Sequence, residues 1–236
     1  MRNVSYVCSA SVVDDTTGNS VVVTAAHCAY DWTAGDATNW MFIPGFDPGD
    51  SFSGCSATDY GCWTATSLWV NAAFKSAGGF TTTAMTNDFA FAVMGPSTTL
   101  STGHTETELD AAAGSQPISI DDYLTDSTIS TTSLGYPAAS PHDGTTLRYC
   151  QGPLGMDEYS KVTYRLPCLM TGGSSGGPWY APLGDDGKGS VMSVNSYGYT
   201  RDIRTTKDYD DTTMMFGPIF NSATWSLYQD ALAAAG

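Results

Sequence analysis

The chain has 236 residues, with only 9 lysines and arginines against 24 aspartates and glutamates, and a formal net charge of −15. So acidic a surface excludes partners that need a basic face, among them nucleic acid and anionic membrane, and no stretch is long and apolar enough for a membrane-spanning helix. The length allows a sizeable buried core in one or two domains.

In chain order, the segment Met1 to Cys8 lacks the apolar centre of an export signal, so the chain is expected to be a mature domain. Short β-runs follow, separated by Gly, Pro, Asp, Ser and Thr. In the first half they are Val12-Val13, Val21-Val22-Val23, Met41-Phe42-Ile43, Ser67-Leu68-Trp69-Val70 and Phe89-Ala90-Phe91-Ala92-Val93. A single helical turn is predicted at Ala72-Ala73-Phe74. Residues Gly95 to Gln116, rich in Ser, Thr, Gly and acidic side chains, read as the linker between a first unit, 1–110, and a second, 111–236. The second half offers Ile118-Ser119-Ile120, Thr132 to Tyr136, Val162-Thr163-Tyr164, Pro178-Trp179-Tyr180 and Val191 to Val194. Strands this short and this frequent predict an all-β barrel or sandwich. The tail predicts a helix capped by Asn221 or Ser222, with Ala223, Leu227 and Ala231 beside Tyr228 and Leu232 on one apolar face.

Three segments carry chemistry. Thr24-Ala25-Ala26-His27-Cys28 sets a histidine, the usual base near neutral pH, beside a cysteine that can anchor it. Asn87-Asp88-Phe89 puts a carboxylate at the mouth of an apolar strand, where it can be buried against an imidazole. Gly172-Gly173-Ser174-Ser175-Gly176-Gly177-Pro178 is a glycine loop able to expose a serine hydroxyl and aim N–H groups beside it. The other histidines, His104 in a Ser/Thr/Glu-rich stretch and His142 in Ser-Pro-His-Asp-Gly, read as surface residues. Residues Gly173 to Gly177 also fit the Gly-x-Ser-x-Gly string of α/β hydrolases, but that context needs a histidine after the serine, and none follows. Six cysteines fit three disulfides in an oxidising compartment, with fifteen pairings open. No Cys-x-x-Cys and no helically spaced histidine pair points to a metal, and no cofactor is expected. Asp157-Glu158 and Asp208, Asp210 and Asp211 offer oxygens for Ca²⁺, but read more simply as exposed acidic loops.

The order His27, Asp88, Ser175, with these local motifs, resembles the chymotrypsin/trypsin family of serine proteases. Ser196-Tyr197-Gly198 resembles the Ser-Trp-Gly strand that lines that family's cleft. Phe42-Ile43-Pro44-Gly45, and the nucleophile loop running on to Trp179, are similar to the secreted bacterial and fungal branch that includes glutamyl endopeptidases. The resemblance implies an all-β fold of two six-stranded antiparallel β-barrels with a C-terminal α-helix, the first barrel carrying His27 and Asp88 and the second Ser175. It implies an oxyanion hole from the N–H groups of Gly173 and Ser175, and the disulfides Cys8–Cys28, Cys55–Cys62 and Cys150–Cys168. It places Leu169 at the base of the specificity pocket with Met170 and Asn195 as further substrate-binding residues, Gly198 keeping the entrance open, and the main chain of Ser196, Tyr197 and Gly198 pairing with the substrate as an added strand.

Several positions depart from the family pattern. Ser174 replaces the aspartate of the animal enzymes, and their Ile-Val-Gly-Gly start is missing, so the animal-type activation switch is not expected. Leu169 replaces the aspartate that selects Arg or Lys. Met170 and Asn195 replace the Thr or Ser and the His that glutamyl endopeptidases use. The sequence therefore predicts a secreted, extracellular, monomeric serine endopeptidase acting on protein or peptide substrates after apolar or aromatic residues. Glutamyl specificity, or a non-catalytic binding protein on the same fold, are the alternatives.

Overall fold

Three consecutive valines, Val21 to Val23, show why this chain makes sheet. Branching at Cβ disfavours helix and suits a pleated surface, and all three side chains are fully buried. A computed structural model describes residues 5–14, 20–48, 55, 58–97, 106–121, 123–125, 129–199 and 211–235. In it β1 (Ser11–Val13), β2 (Val21–Thr24), β7 (Ala90–Met94), β6 (Trp63–Val70) and β5 (Met41–Phe42) lie side by side in that order, every pairing antiparallel. Between β2 and β6 the chain forms the small hairpin β3 (Tyr30–Asp31) and β4 (Gly35–Asp36). Alternate side chains of a strand face opposite ways. Accordingly Val21, Val23, Phe91 and Val93 join one core with Tyr228 and Ala231, while Val12, Val22, Ala92 and Met94 join another with Trp63 and Leu109. Burial on both faces explains why these strands read as unbroken apolar runs.

The second half carries a four-stranded antiparallel sheet in the order β13 (Gly189–Val194), β12 (Pro178–Leu183), β8 (Ser130–Gly135), β9 (Arg148–Pro153). Beside it is a three-stranded sheet in the order β10 (Gly155–Met156), β11 (Thr163–Pro167), β14 (Met214–Pro218). Helices are short: α1 (Ala72–Ser76), α2 (Thr82–Thr86) and α3 (Leu109–Ala113). The exception is α4 (Ser222–Ala235), capped by Asn221, whose Oδ1 accepts from Ala223 N at 2.8 Å. Its buried residues, Thr224, Tyr228, Ala231 and Ala235, recur at spacings of four, three and four, one face of a helix. The fold is thus mostly sheet with a helix at the C-terminus, its described strands pairing in sheets of five, four, three and two.

Several expectations shift. Ala223 is exposed and Thr224 takes the inward place, because the cap at Asn221 sets the phase of the helix. Ile118-Ser119-Ile120 reduces to one bridge, Ile118 to Val191. Of the expected linker, residues 98–105, including His104, lie outside the described residues. Its far end is packed, since Leu109 of α3 is fully buried. Strands β9 and β14 went unpredicted because Gly152, Pro153, Gly217 and Pro218 read as loop, although both strands lie at the edge of their sheets, where proline is tolerated.

Candidate active site

His27 stands in a 3-10 turn, Ala26–Cys28, directly after β2. Its neighbours Ala26 and Cys28 are fully buried, and Cys28 is joined to Cys8. The other disulfides are Cys55–Cys62 and Cys150–Cys168, so the bridges are those the resemblance implies. With its flanks fixed, the imidazole side chain stays 34% exposed. Asp88, between α2 and β7, is fully buried. Its Oδ1 accepts from the His27 main-chain N–H at 2.9 Å, and its Oδ2 faces His27 Nδ1 at 2.8 Å. A carboxylate only accepts, so Nδ1 carries the proton and Nε2 is left as the basic nitrogen. Burial alone would lower the His27 pKa; the charge of Asp88 and its hydrogen bond outweigh that and raise it above 6.5.

A third donor completes Asp88. Ser196 Oγ donates to the same Oδ2, and Ser196 is buried. Its side chain therefore serves the carboxylate, a role that sequence reasoning did not assign it. No sequence signal points to it, because only the fold brings together these residues, 108 positions apart.

Ser175 lies in the loop leading into β12, half-buried. The loop is fastened at Ser9, next to the cysteine that the disulfide ties to the histidine turn. Ser175 O accepts from Ser9 N at 2.7 Å and lies 3.7 Å from Cys28 Sγ. Gly176 has φ +81°, and a Cβ there would stand 2.9 Å from Ala25 N, so only glycine lets the two segments close. Among the described contacts no hydrogen bond joins the Ser175 hydroxyl to His27; in unliganded sites of this kind that bond is often long. Neither Gly173 nor Ser175 donates its main-chain N–H to another group among the described residues. Gly172 O accepts from Ala138 N at 2.7 Å and Ala139 N at 3.0 Å. A trans peptide points its N–H away from its C=O, so these bonds fix where Gly173 N–H points. Ser174 is buried, its Oγ donating to Thr171 O at 2.9 Å; it closes the turn.

The expected substrate residues divide. Gly198 is exposed, with Met214 O the nearest atom to a notional Cβ, at 3.4 Å. Met170 is half-buried against the core that holds Trp179 and Met215. Leu169 is 66% exposed and so does not form a buried pocket base; the loop rises to the surface after the Cys150–Cys168 bridge. Asn195 is fully buried and its amide is used within the protein, so it does not meet substrate. Tyr197 is buried, its ring stacked on Phe216 and its hydroxyl bonded to Thr163 Oγ1 and Asp157 Oδ2. Asp157 was expected in an exposed acidic loop. It is fully buried and also accepts from Tyr199 OH at 2.8 Å. Desolvation first, then the nearby Asp157 carboxylate, push the Tyr199 hydroxyl far above its usual pKa. Asp208 and Asp210 lie outside the described residues. The sulfurs of Cys8 and Cys28 and a His27 nitrogen lie within 4.8 Å of one another, but a disulfide offers no thiolate to a metal.

No protein-family model and no curated protein matches the chain. Solved structures do. The protease Anisep from Arthrobacter nicotinovorans is 34% identical, with a TM-score of 0.75 over 97% of this chain and 90% of that one. The thermostable serine protease AL20 from an extremophilic microorganism is 33% identical, with a TM-score of 0.74 over 97% and 91%. This chain belongs to the chymotrypsin-like serine protease family. A Glu endopeptidase is 15% identical with a TM-score of 0.65 over 95% and 90%, a likeness of fold alone. The protease therefore places His27, Asp88 and Ser196 in one bonded group, with the Ser175 loop fastened beside it.

Proposed function

We propose that the protein is a secreted serine endopeptidase working through Ser175, His27 and Asp88. The observation that carries this is the orientation of His27: two hydrogen bonds donated to Asp88 hold it with Nε2 basic, and the main chain of Ser175 is fastened to Ser9, next to the cysteine bridged to that turn. Ser175 Oγ attacks the scissile carbonyl, and Nε2 takes its proton and delivers it to the leaving amine. Asp88 holds the imidazole and stabilises its cationic form, and the N–H groups of Gly173 and Ser175 receive the oxyanion. Water then enters by the same route to release the acyl group.

In this reading residues 1–110 and 111–236 each close a six-stranded barrel, and the cleft lies between them. The substrate is protein or peptide, the enzyme a monomer, and three disulfides suit an extracellular setting. No helix is long and apolar enough to cross a membrane among the described residues. Cleavage follows apolar or aromatic residues, with half-buried Met170 as the apolar contact and Gly198 keeping the entrance open. The test is a peptide-library digest by wild type and Ser175→Ala. Wild type should cut after apolar residues, and the variant should lose activity by a factor on the order of 10⁶. Dominant cleavage after Glu, Arg or Lys would refute the preference, and retained cleavage by Ser175→Ala would refute the nucleophile.

A further inference from the structure

Asn195 commits every polar atom of its side chain, one of them to the peptide that precedes Ser175. Nδ2 donates to Ser174 O and to Leu134 O, both at 3.0 Å. Oδ1 accepts from Ser133 Oγ at 2.8 Å and from Trp179 Nε1 at 2.7 Å. An indole N–H can only donate, so Oδ1 must face Trp179 and Nδ2 must face the two carbonyls. The main chain of the same residue adds two bonds, accepting from Gly176 N at 2.7 Å and donating to Gly177 O at 2.8 Å. Asn195 thus grips the loop on both sides of Ser175.

Gly177 makes this grip possible. A Cβ there would stand 2.9 Å from Asn195 Nδ2 and 3.0 Å from Ser174 O, filling the slot through which the amide reaches the loop. Conformational freedom is not the reason for this glycine, since its φ is not in the left-handed range.

Ser174 C=O and Ser175 N–H belong to one peptide plane. A trans peptide sets them antiparallel, so whatever holds that carbonyl also aims that N–H. Ser174 O is held by Asn195 Nδ2 and by Gly177 N at 3.0 Å. Resting on the proposed catalytic reading, we infer that Asn195 is a positioning residue that aims the Ser175 N–H at the oxyanion. It touches no substrate; it acts through the Ser174–Ser175 peptide. Buried away from water, such a bond holds its geometry strongly.

The test compares wild type with Asn195→Asp and Asn195→Ala on a peptide the wild type cleaves. Active sites are counted by an organophosphonate run to completion. Asn195→Asp turns an acceptor toward two carbonyls and drives the peptide plane away. Its kcat per counted site should fall by about 10²–10³, the usual loss for one oxyanion donor. KM should stay within about twofold, because the interaction is made in the transition state, and the acid limb set by His27 should not move. Asn195→Ala should show the same split with a smaller loss. If neither accumulates as folded protein, Trp179→Phe, which removes the indole donor that fixes the amide's orientation, should lower kcat about threefold to tenfold at constant KM. Folded variants that melt earlier yet keep kcat per site within twofold would overturn the inference and leave Asn195 a packing residue. A wild type that the phosphonate does not label at Ser175 would instead overturn the catalytic reading beneath it.

Discussion

Replacing Ser196 by alanine removes one donor from a carboxylate that has no water to turn to. Asp88 is fully buried and accepts from His27 N, His27 Nδ1 and Ser196 Oγ. A hydrogen bond to a charged group contributes about 1.5–3 kcal/mol, and a buried acceptor left short of a partner costs in that range. For a domain of this size about 2–4 °C of melting temperature goes with each kcal/mol, so the melting temperature should fall by roughly 3–12 °C. Calorimetry in a Ser175→Ala background avoids self-digestion. The same change leaves the Asp88 charge less shielded, so it holds the His27 proton more tightly and the acid limb of kcat/KM should move to higher pH. A melting temperature within 1 °C of the parent, together with an unmoved limb, would refute the claim that Ser196 serves Asp88.

The raised pKa of His27 gives a pH profile with a fixed sign: kcat/KM should rise with pH and reach half its plateau above pH 6.5, and a midpoint below that value would contradict the structure. The linked stability runs the other way, fully present below about pH 6.5 and lost as pH climbs through the folded value, which a pH series of melts on Ser175→Ala would register. Gly176→Ala should destabilise by about 2–5 kcal/mol, from the left-handed φ and from collision with the segment at Ala25. Gly78→Ala, with φ +66° but nothing within 4 Å, should cost only about 1–2 kcal/mol by denaturant melts. Removing the Cys8–Cys28 bridge, which spans 20 residues, should cost about 3 kcal/mol in the chain-entropy picture, again read by denaturant melts.

What the sequence made legible was local. Val21 to Val23 and Phe89 to Val93 announce themselves as strands because both faces are buried. The helix at 222–235 shows in its spacing, and His27, Asp88 and Ser175 each sit in a short motif. What it hid depends on partners far along the chain. Whether Asn195 faces the cleft or the core is decided by Ser133, Leu134, Ser174 and Trp179, three segments that meet only once β8, β12 and β13 have paired. Ser196 and Asp157 turned inward for the same reason: each found a hydrogen-bond partner far along the chain, Asp88 in one case and two tyrosines in the other. Leu169 went astray because counting back along a loop gives a position but not its height above the surface.

The central claim is that an imidazole held by Asp88 makes the Ser175 hydroxyl reactive. Mass spectrometry of protein treated with an organophosphonate tests it most directly. Wild type should carry one adduct, on Ser175, at a rate that rises as His27 loses its proton, and both Ser175→Ala and His27→Ala should remain unmodified on that timescale. An adduct on another residue, or His27→Ala labelling at Ser175 as fast as wild type, would contradict the account.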